Sequence, residues 1–532
     1  MKATHYLLVA LLAAACIGIQ PARAQDLAAD AELVETRTEV PKLRPPAEYK
    51  MQDNTILIEL SEYAGYAGLI AANGGMEPNE NSVFAKKHGF KVKLVLSEEE
   101  SWSALNSGKM AASASTVDVL SVYGRQLDVV VPALIGFSRG ADGLVVLKSI
   151  KRINDLAGKT LAAAQFTEAD FFIRYLAQEA GLGVNMLPNL QARPAADKVN
   201  LVYCADAFGA GDLFLRDLKA GRNRLAGCVT WAPKTTEVAS ESQGKARLLV
   251  TNRNLLIVAD ILMINKAFAQ ANPKIVTGLV AGLLEGNHMV RTEGDKHLDL
   301  IAKAFKWDAA QARSELAKVH LANLPENLAF FSGKIDSAGS YNFLYETAAY
   351  VYGSELLGRT APVERLLDMA PLQAAQQGGQ FKDQVASITP IRSTGAAAES
   401  TGESLLSKDI RFMFRPNSSK LETGTQANTK GLTSISQLVK VAPGSTVLLR
   451  GHADGSLLEQ FRRQGGQARF LQAKLQLKEL SRSRCAEVKM MLTDQYGFDA
   501  KRIEVQGVGS DEPTGKGPDA DRRVEVQWFT VE

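Results

Sequence analysis

From residue 55 to residue 264 the chain alternates short apolar runs with longer stretches of helical period, and this alternation constrains the fold most. The strand-like runs are 55–60, 91–96, 129–135, 143–147, 160–163, 201–204, 228–231 and 255–264. Helix-like stretches such as 168–180 and 207–220 separate them. Such alternation predicts an α/β unit in which crossover helices connect parallel strands. From Lys266 the pattern turns mostly helical, with 273–291 and the amphipathic 309–321 as the clearest segments.

The composition changes at 375–405, where small polar residues without periodicity cannot build a core. This stretch is read as a flexible linker. A second pattern follows over 406–532: strand 410–414, helix 425–441, strand 445–450, helix 480–496 ending at Gly497, then strands 502–506 and 523–529. The order β-α-β-α-β-β describes a small α+β domain. With 532 residues, more than one domain is the default. A formal net charge of +3 and the lack of Lys/Arg runs with interleaved aromatics argue against a nucleic-acid partner. No internal repeat of fixed period stands out.

The N-terminus reads as an export signal. Lys2 gives a positive start, 6–19 is an uncharged apolar stretch, and Ala22-Arg23-Ala24 is a small-x-small cleavage pattern. A membrane span takes about 20 apolar residues, so 1–24 is taken as a signal peptide, and the mature chain is expected to have no transmembrane span. Ala13-Ala14-Ala15-Cys16 offers a second route, a lipoprotein held through Cys16. Residues 25–53, with Pro41, Pro45 and Pro46, form a polar N-terminal arm. Cleavage leaves Cys204, Cys228 and Cys485. Cys204 and Cys228 are read as buried apolar thiols, with a disulfide between them as the alternative.

In the C-terminal domain, Gly451-His452-Ala453-Asp454 places a carboxylate at a strand end, and Arg484 sits one turn into the following helix. A guanidinium takes a carboxylate bidentately and an aspartate takes an ammonium, so the two can hold a zwitterion. A plain surface ion pair reads equally well from these residues alone. The domain resembles the OmpA-like peptidoglycan-binding family. The matching pieces are Ile410-Arg411-Phe412, Gly451-His452-Ala453-Asp454, Leu480-Ser481-x-x-Arg484-Cys485, Gly507-x-Gly509 with Pro513, and Asp521-Arg522-Arg523-Val524-Glu525-Val526. The resemblance implies that Asp454 and Arg484 bind the diaminopimelate of peptidoglycan stem peptides, with the protein in the periplasm and attached to the cell wall of an envelope with an outer membrane. The segment 456–479 between them is longer than usual. It carries Arg462, Arg463, Arg469, Lys474 and Lys478, and is read as a helical extension.

The larger unit, 54–374, resembles the nitrate/taurine/sulfonate group of periplasmic ABC-transporter solute-binding proteins, and more closely their fusions to OmpA-like domains. The pieces are 60–66, Leu105-Asn106-Ser107-Gly108-Lys109-Met110 followed by 113–118, 140–146, 153–161, and 218–221 followed by 228–233. The resemblance implies a two-lobed, type II-like fold. Lobe one spans 54–142 and 256–374, lobe two spans 143–255, and a small-molecule solute sits between them, delivered to an ABC permease. Ligands of open α/β sheets gather at the carboxyl ends of strands, where helix N-termini suit anionic groups. Candidate solute contacts are therefore Tyr63, Tyr66, Ser115, Thr116 and Asp118 on lobe one, and Gln165, Phe166, Thr167 and Trp231 on lobe two. Packing aromatics and helix caps are the competing roles for these residues.

Three function classes remain. The first is a wall-anchored solute-binding protein. The second is a wall-anchored scaffold or sensor whose two lobes bind a protein. The third is an enzyme related to the two-lobed pyrimidine-precursor synthases. The six His, at positions 5, 88, 288, 297, 320 and 452, are scattered without metal-ligand spacing, and no nucleophile–base pair stands out. No catalytic residue, metal or cofactor is assigned.

Overall fold

Among the described residues, sixteen strands form three sheets. The computed structural model describes residues 33–97, 102–253, 255–334, 339–386, 388, 404–415, 418–442 and 444–529. The export signal, Cys16, the first residues of the arm and most of the linker stretch lie outside them.

The first sheet contains β1 (Thr55–Leu60), β2 (Lys91–Leu96), β3 (Ala112–Thr116), β4 (Val129–Ser138), β11 (Ala259–Asn265) and β12 (Val319–Leu321), in the order β12-β4-β11-β3-β1-β2. The second contains β5 (Asp142–Leu147), β6 (Thr160–Ala164), β7 (Gly183–Met186), β8 (Lys198–Cys204), β9 (Gly227–Trp231) and β10 (Ala246–Thr251), in the order β10-β5-β9-β6-β8-β7. Each sheet is the core of one lobe, so this part of the molecule is a two-lobed α/β fold. β1 and β2 are rich in Ile, Leu and Val, while β3, β6 and β9 carry mostly small residues and are buried at every position.

The lobes repeat one strand order. Lobe one runs β2-β1-β3-β11-β4 and lobe two runs β8-β6-β9-β5-β10. In each, the strand arriving from the other lobe is inserted between the third and fourth strands of its host. These two strands, β11 and β5, are antiparallel to their neighbours, whereas β1 with β2 and β6 with β8 are parallel. Both sheets are therefore mixed, which corrects the expectation of a parallel sheet. The chain must cross from lobe one to lobe two and return, and a direct crossing enters its new sheet running against the strands already there. The crossings are residues 139–141 and 252–258. They are tied together by Gly140 N–H donating to Asn252 Oδ1 and Ser138 N–H donating to the Val258 carbonyl.

Two helices also differ from expectation. The helix predicted over 309–321 stops at Leu316, and Val319–Leu321 turns into β12 because the open edge of β4 pairs with it. Pro273–Phe305 is one long helix, non-helical only at Glu293.

The third sheet contains β13 (Leu406–Ile410), β14 (Thr446–His452), β15 (Ile503–Gly509) and β16 (Val524–Phe529), in the order β13-β16-β14-β15. Its first strand lies four residues earlier than 410–414. Leu406 is the buried residue that starts the pairing with β16, and Phe414 makes only an isolated bridge to Leu421. The helix predicted from residue 480 begins at Leu458 and runs to Tyr496, interrupted at Gly465 and Gly466. The basic segment is thus helical, and Lys474 and Lys478 both pair with Asp511.

Cys204, Cys228 and Cys485 are free and buried, and burial raises all three thiols, Cys204 and Cys485 to about 12. Among the described residues no helix is long and apolar enough to cross a membrane.

Candidate functional site

Between the lobes lies an inner cavity of about 30 Å³. Lobe one contributes Ser61, Tyr63, Tyr66 and Thr116, and lobe two contributes Glu168 and Trp231. The crossings and their strands contribute Ser138, Asp142, Val258 and Asp260. The carboxyl ends of β1, β3, β4 and β9 all open onto this space. β5 and β11 run the other way, so they present their first residues there. This is how Asp142 and Asp260 reach the cavity.

Asp260 accepts from both cavity tyrosines, Tyr63 Oη to Oδ2 and Tyr66 Oη to Oδ1, each at 3.3 Å. The two rings meet edge to face at 5.2 Å. Asp142 accepts from Asn252 Nδ2 at 2.9 Å, so the carboxylate of one crossing is held by the amide of the other. Burial pushes the carboxyls of Asp142 and Asp260 up from their ordinary range. Trp231 ends β9 and is only 6% exposed, and its indole Nε1 has no hydrogen-bond partner among the described residues.

Of the nine residues predicted for a solute site, four line this cavity: Tyr63, Tyr66, Thr116 and Trp231. The others do not. Ser115 accepts from Trp102 Nε1 within the core. Asp118 is buried in the first turn of the Val117–Tyr123 helix and is not among the cavity's described lining residues. Gln165, Phe166 and Thr167 line a larger outer pocket of about 620 Å³. At the start of the Glu168–Glu179 helix, Phe166 N–H donates to Asp170 Oδ2, Asp170 Oδ1 takes Arg174 Nε at 2.8 Å, and the Thr167 side chain makes no cap hydrogen bond.

The outer pocket is roofed by the N-terminal arm, which was expected to bury little. Leu33 bridges Cys204 and Val34 N–H donates to the Tyr203 carbonyl, both on lobe two. Arg37 and Gln165 exchange two hydrogen bonds, of 2.9 and 2.7 Å. The arm then reaches lobe one, where Gln126 accepts from Leu43 N–H and donates to the Pro41 carbonyl. Gln165 thus holds the arm.

Asp142, Asp260, Ser138 and Glu168 escaped the sequence reading. That reading looked at carboxyl ends of strands, and two of these residues enter from amino ends of reversed strands. The signal available was the pair of acidic residues at the two crossings.

In the C-terminal domain Asp454 and Arg484 line one groove of about 350 Å³. Asp454 accepts from Ser456 N–H at 2.8 Å and from Arg522 Nη2 at 2.9 Å. Partial burial opposes its ionisation, but these donors outweigh it and hold the carboxyl below its usual value. Arg484 lies 4.8 Å over the Phe414 ring and donates weakly, at 3.4 Å, to the Ser418 carbonyl. Gly451 lets the strand approach the helix that carries Arg484, since a Cβ there would sit 2.3 Å from the Ser481 carbonyl oxygen. Arg522 was missed as a site residue, although the paired arginines before the last strand were visible. Close by, His452, Glu512 and Glu525 are the one group with metal-ligand spacing among the described residues. Arg450 already pairs with both glutamates.

The chain is similar in structure to the periplasmic aliphatic sulphonate-binding protein of Escherichia coli, at 16% identity over 59% of this chain and 92% of that one, with a TM-score of 0.43. It is similar to the alkanesulfonate-binding protein of Xanthomonas axonopodis pv. citri bound to MOPS, at 14% identity over 60% and 99%, with a TM-score of 0.44. It is similar also to the periplasmic nitrate-binding protein of Synechocystis PCC 6803, at 15% identity over 65% and 92%, with a TM-score of 0.45. No family model and no curated protein matches the chain.

Proposed function

We propose that this chain is a solute-binding protein held at the cell wall: its two lobes enclose a small solute, and its C-terminal domain grips peptidoglycan. The observation that carries the solute half is the inner cavity, whose wall is drawn from both lobes and both crossings. A ligand there contacts surfaces that move relative to each other when the lobes part, so its binding energy favours closure. An ABC permease is the natural recipient of such a solute.

The wall-binding half rests on the resemblance of 406–532 to the OmpA-like domains and on the groove chemistry. A diaminopimelate end group is a zwitterion with a carboxylate and an ammonium. Arg484 suits the first and Asp454 the second, while Arg522 keeps Asp454 ionised. The measurement is co-sedimentation with purified sacculi in the presence of free diaminopimelate. The wild-type chain pellets and the free amino acid releases it. Pelleting that diaminopimelate does not reduce contradicts this assignment.

A further inference from the structure

We propose that the interlobe cavity takes a small organic ammonium ion bearing an oxygen acceptor, of the amino-alcohol class. This deepens the solute-binding reading and rests on it.

Charge comes first. Asp142, Glu168 and Asp260 line the cavity, and among its described lining residues there is no Lys, Arg or His. The tyrosine hydroxyls and Asn252 satisfy hydrogen-bonding capacity on Asp260 and Asp142 without supplying positive charge. Burial drives both carboxyls toward their neutral form, and a cation seated against them is what would let them ionise. An anion in this space would face the carboxyl groups of Asp142 and Asp260, with no cationic side chain among the described lining residues.

The second observation is independent of the acids. Trp231 Nε1 is a donor only, is buried and has no partner among the described residues. An unpaired buried donor on the wall of a cavity calls for an acceptor on what fills it. The acceptor and the cation therefore belong to one ligand, with its oxygen toward Trp231 and its ammonium toward Asp142 and Asp260. The rings of Tyr63, Tyr66 and Trp231 complete walls suited to an organic cation.

A bare metal ion fits less well. Metal sites converge three or more ligand atoms, and among the described residues the only carboxylate group so spaced is in the C-terminal domain, around His452.

The test is calorimetric titration of the full mature chain with four probes: ethanolamine, n-propylamine, ethanesulfonate and nitrate. Ethanolamine is expected to bind, n-propylamine to bind more weakly, and the two anions not to bind. Asp260→Asn and Asp142→Asn should each weaken ethanolamine by roughly tenfold or more. Trp231→Phe should weaken ethanolamine while leaving n-propylamine unchanged. Unaltered melting of the unliganded variants shows that they fold. Binding of either anion in place of the amines overturns the ammonium inference and leaves the solute-binding reading standing. Stabilisation by calcium or potassium alone also overturns it. Failure of all these probes, with no change of melting temperature, overturns both.

Discussion

Burial pushes the Asp118 carboxyl from 3.8 up to about 7, and Thr116 opposes the shift only in part. Around it stand Asp142 from β5, Asp170 from the Glu168–Glu179 helix, which is paired with Arg174, and Tyr352 from the Tyr341–Tyr352 helix. A carboxyl raised in the folded state contributes stability that is complete below pH 3.8 and is lost as pH rises through about 7. Between pH 5 and pH 8 this one group should cost the unliganded protein about 2 kcal/mol. Asp118→Asn should flatten that decline, read as the change in melting temperature across the interval. Equal slopes for the variant and the wild type would rule out a buried proton here. In the C-terminal domain, Gly451→Ala forces a Cβ against the Ser481 carbonyl, and denaturant unfolding should show a loss of about 1–3 kcal/mol.

The arm acts as a strap across the two lobes. Its hydrogen bonds tie 33–37 to lobe two and 41–44 to lobe one, over the mouth of the outer pocket. Gln165→Ala removes its double bond to Arg37. The free Cys204 thiol lies beneath the Leu33 end of the strap, so thiol labelling of Cys204 should become faster in that variant, while Cys228 and Cys485 stay slow. Unchanged labelling of Cys204 would mean that the strap is held without Gln165. This element was illegible in the sequence because its residues are polar and proline-containing and lack periodicity. Its order comes from side chains far along the chain, Gln126 at 83 and 85 residues and Gln165 at 128. The elements with their own periodicity were legible: β1 and β2 lie at the residues their apolar runs indicated. β3, with its run of Ala and Ser, has no such signature, and close cover on both faces is what selects small residues there.

At the scale of the molecule, the repeated strand order of the two lobes left no trace as a sequence period, because insertions between corresponding strands differ in length. The sequence patterning named Tyr63 with Tyr66 and Asp454 with Arg484 as candidates, and each pair lies along one pocket. The acidic character of the cavity depended on strand reversal, which apolar patterning does not encode. The C-terminal domain also touches the body. Ser407 exchanges two backbone hydrogen bonds with the Asn154 side chain, Ile153 N–H donates to the Leu405 carbonyl, and Leu256 N–H in the return crossing donates to the Val441 carbonyl. Asn154→Ala should loosen this seat and increase the protein's radius of gyration in solution scattering without changing its pelleting with sacculi. We propose that one chain carries both a wall grip and a separate solute cavity. The most direct measurement is partition of the Asp454→Ala, Arg484→Ala double variant between sacculi and supernatant, with ethanolamine titration of the same sample. The double variant should remain in the supernatant and bind the amine as the wild type does. Wild-type pelleting of the double variant would contradict the account.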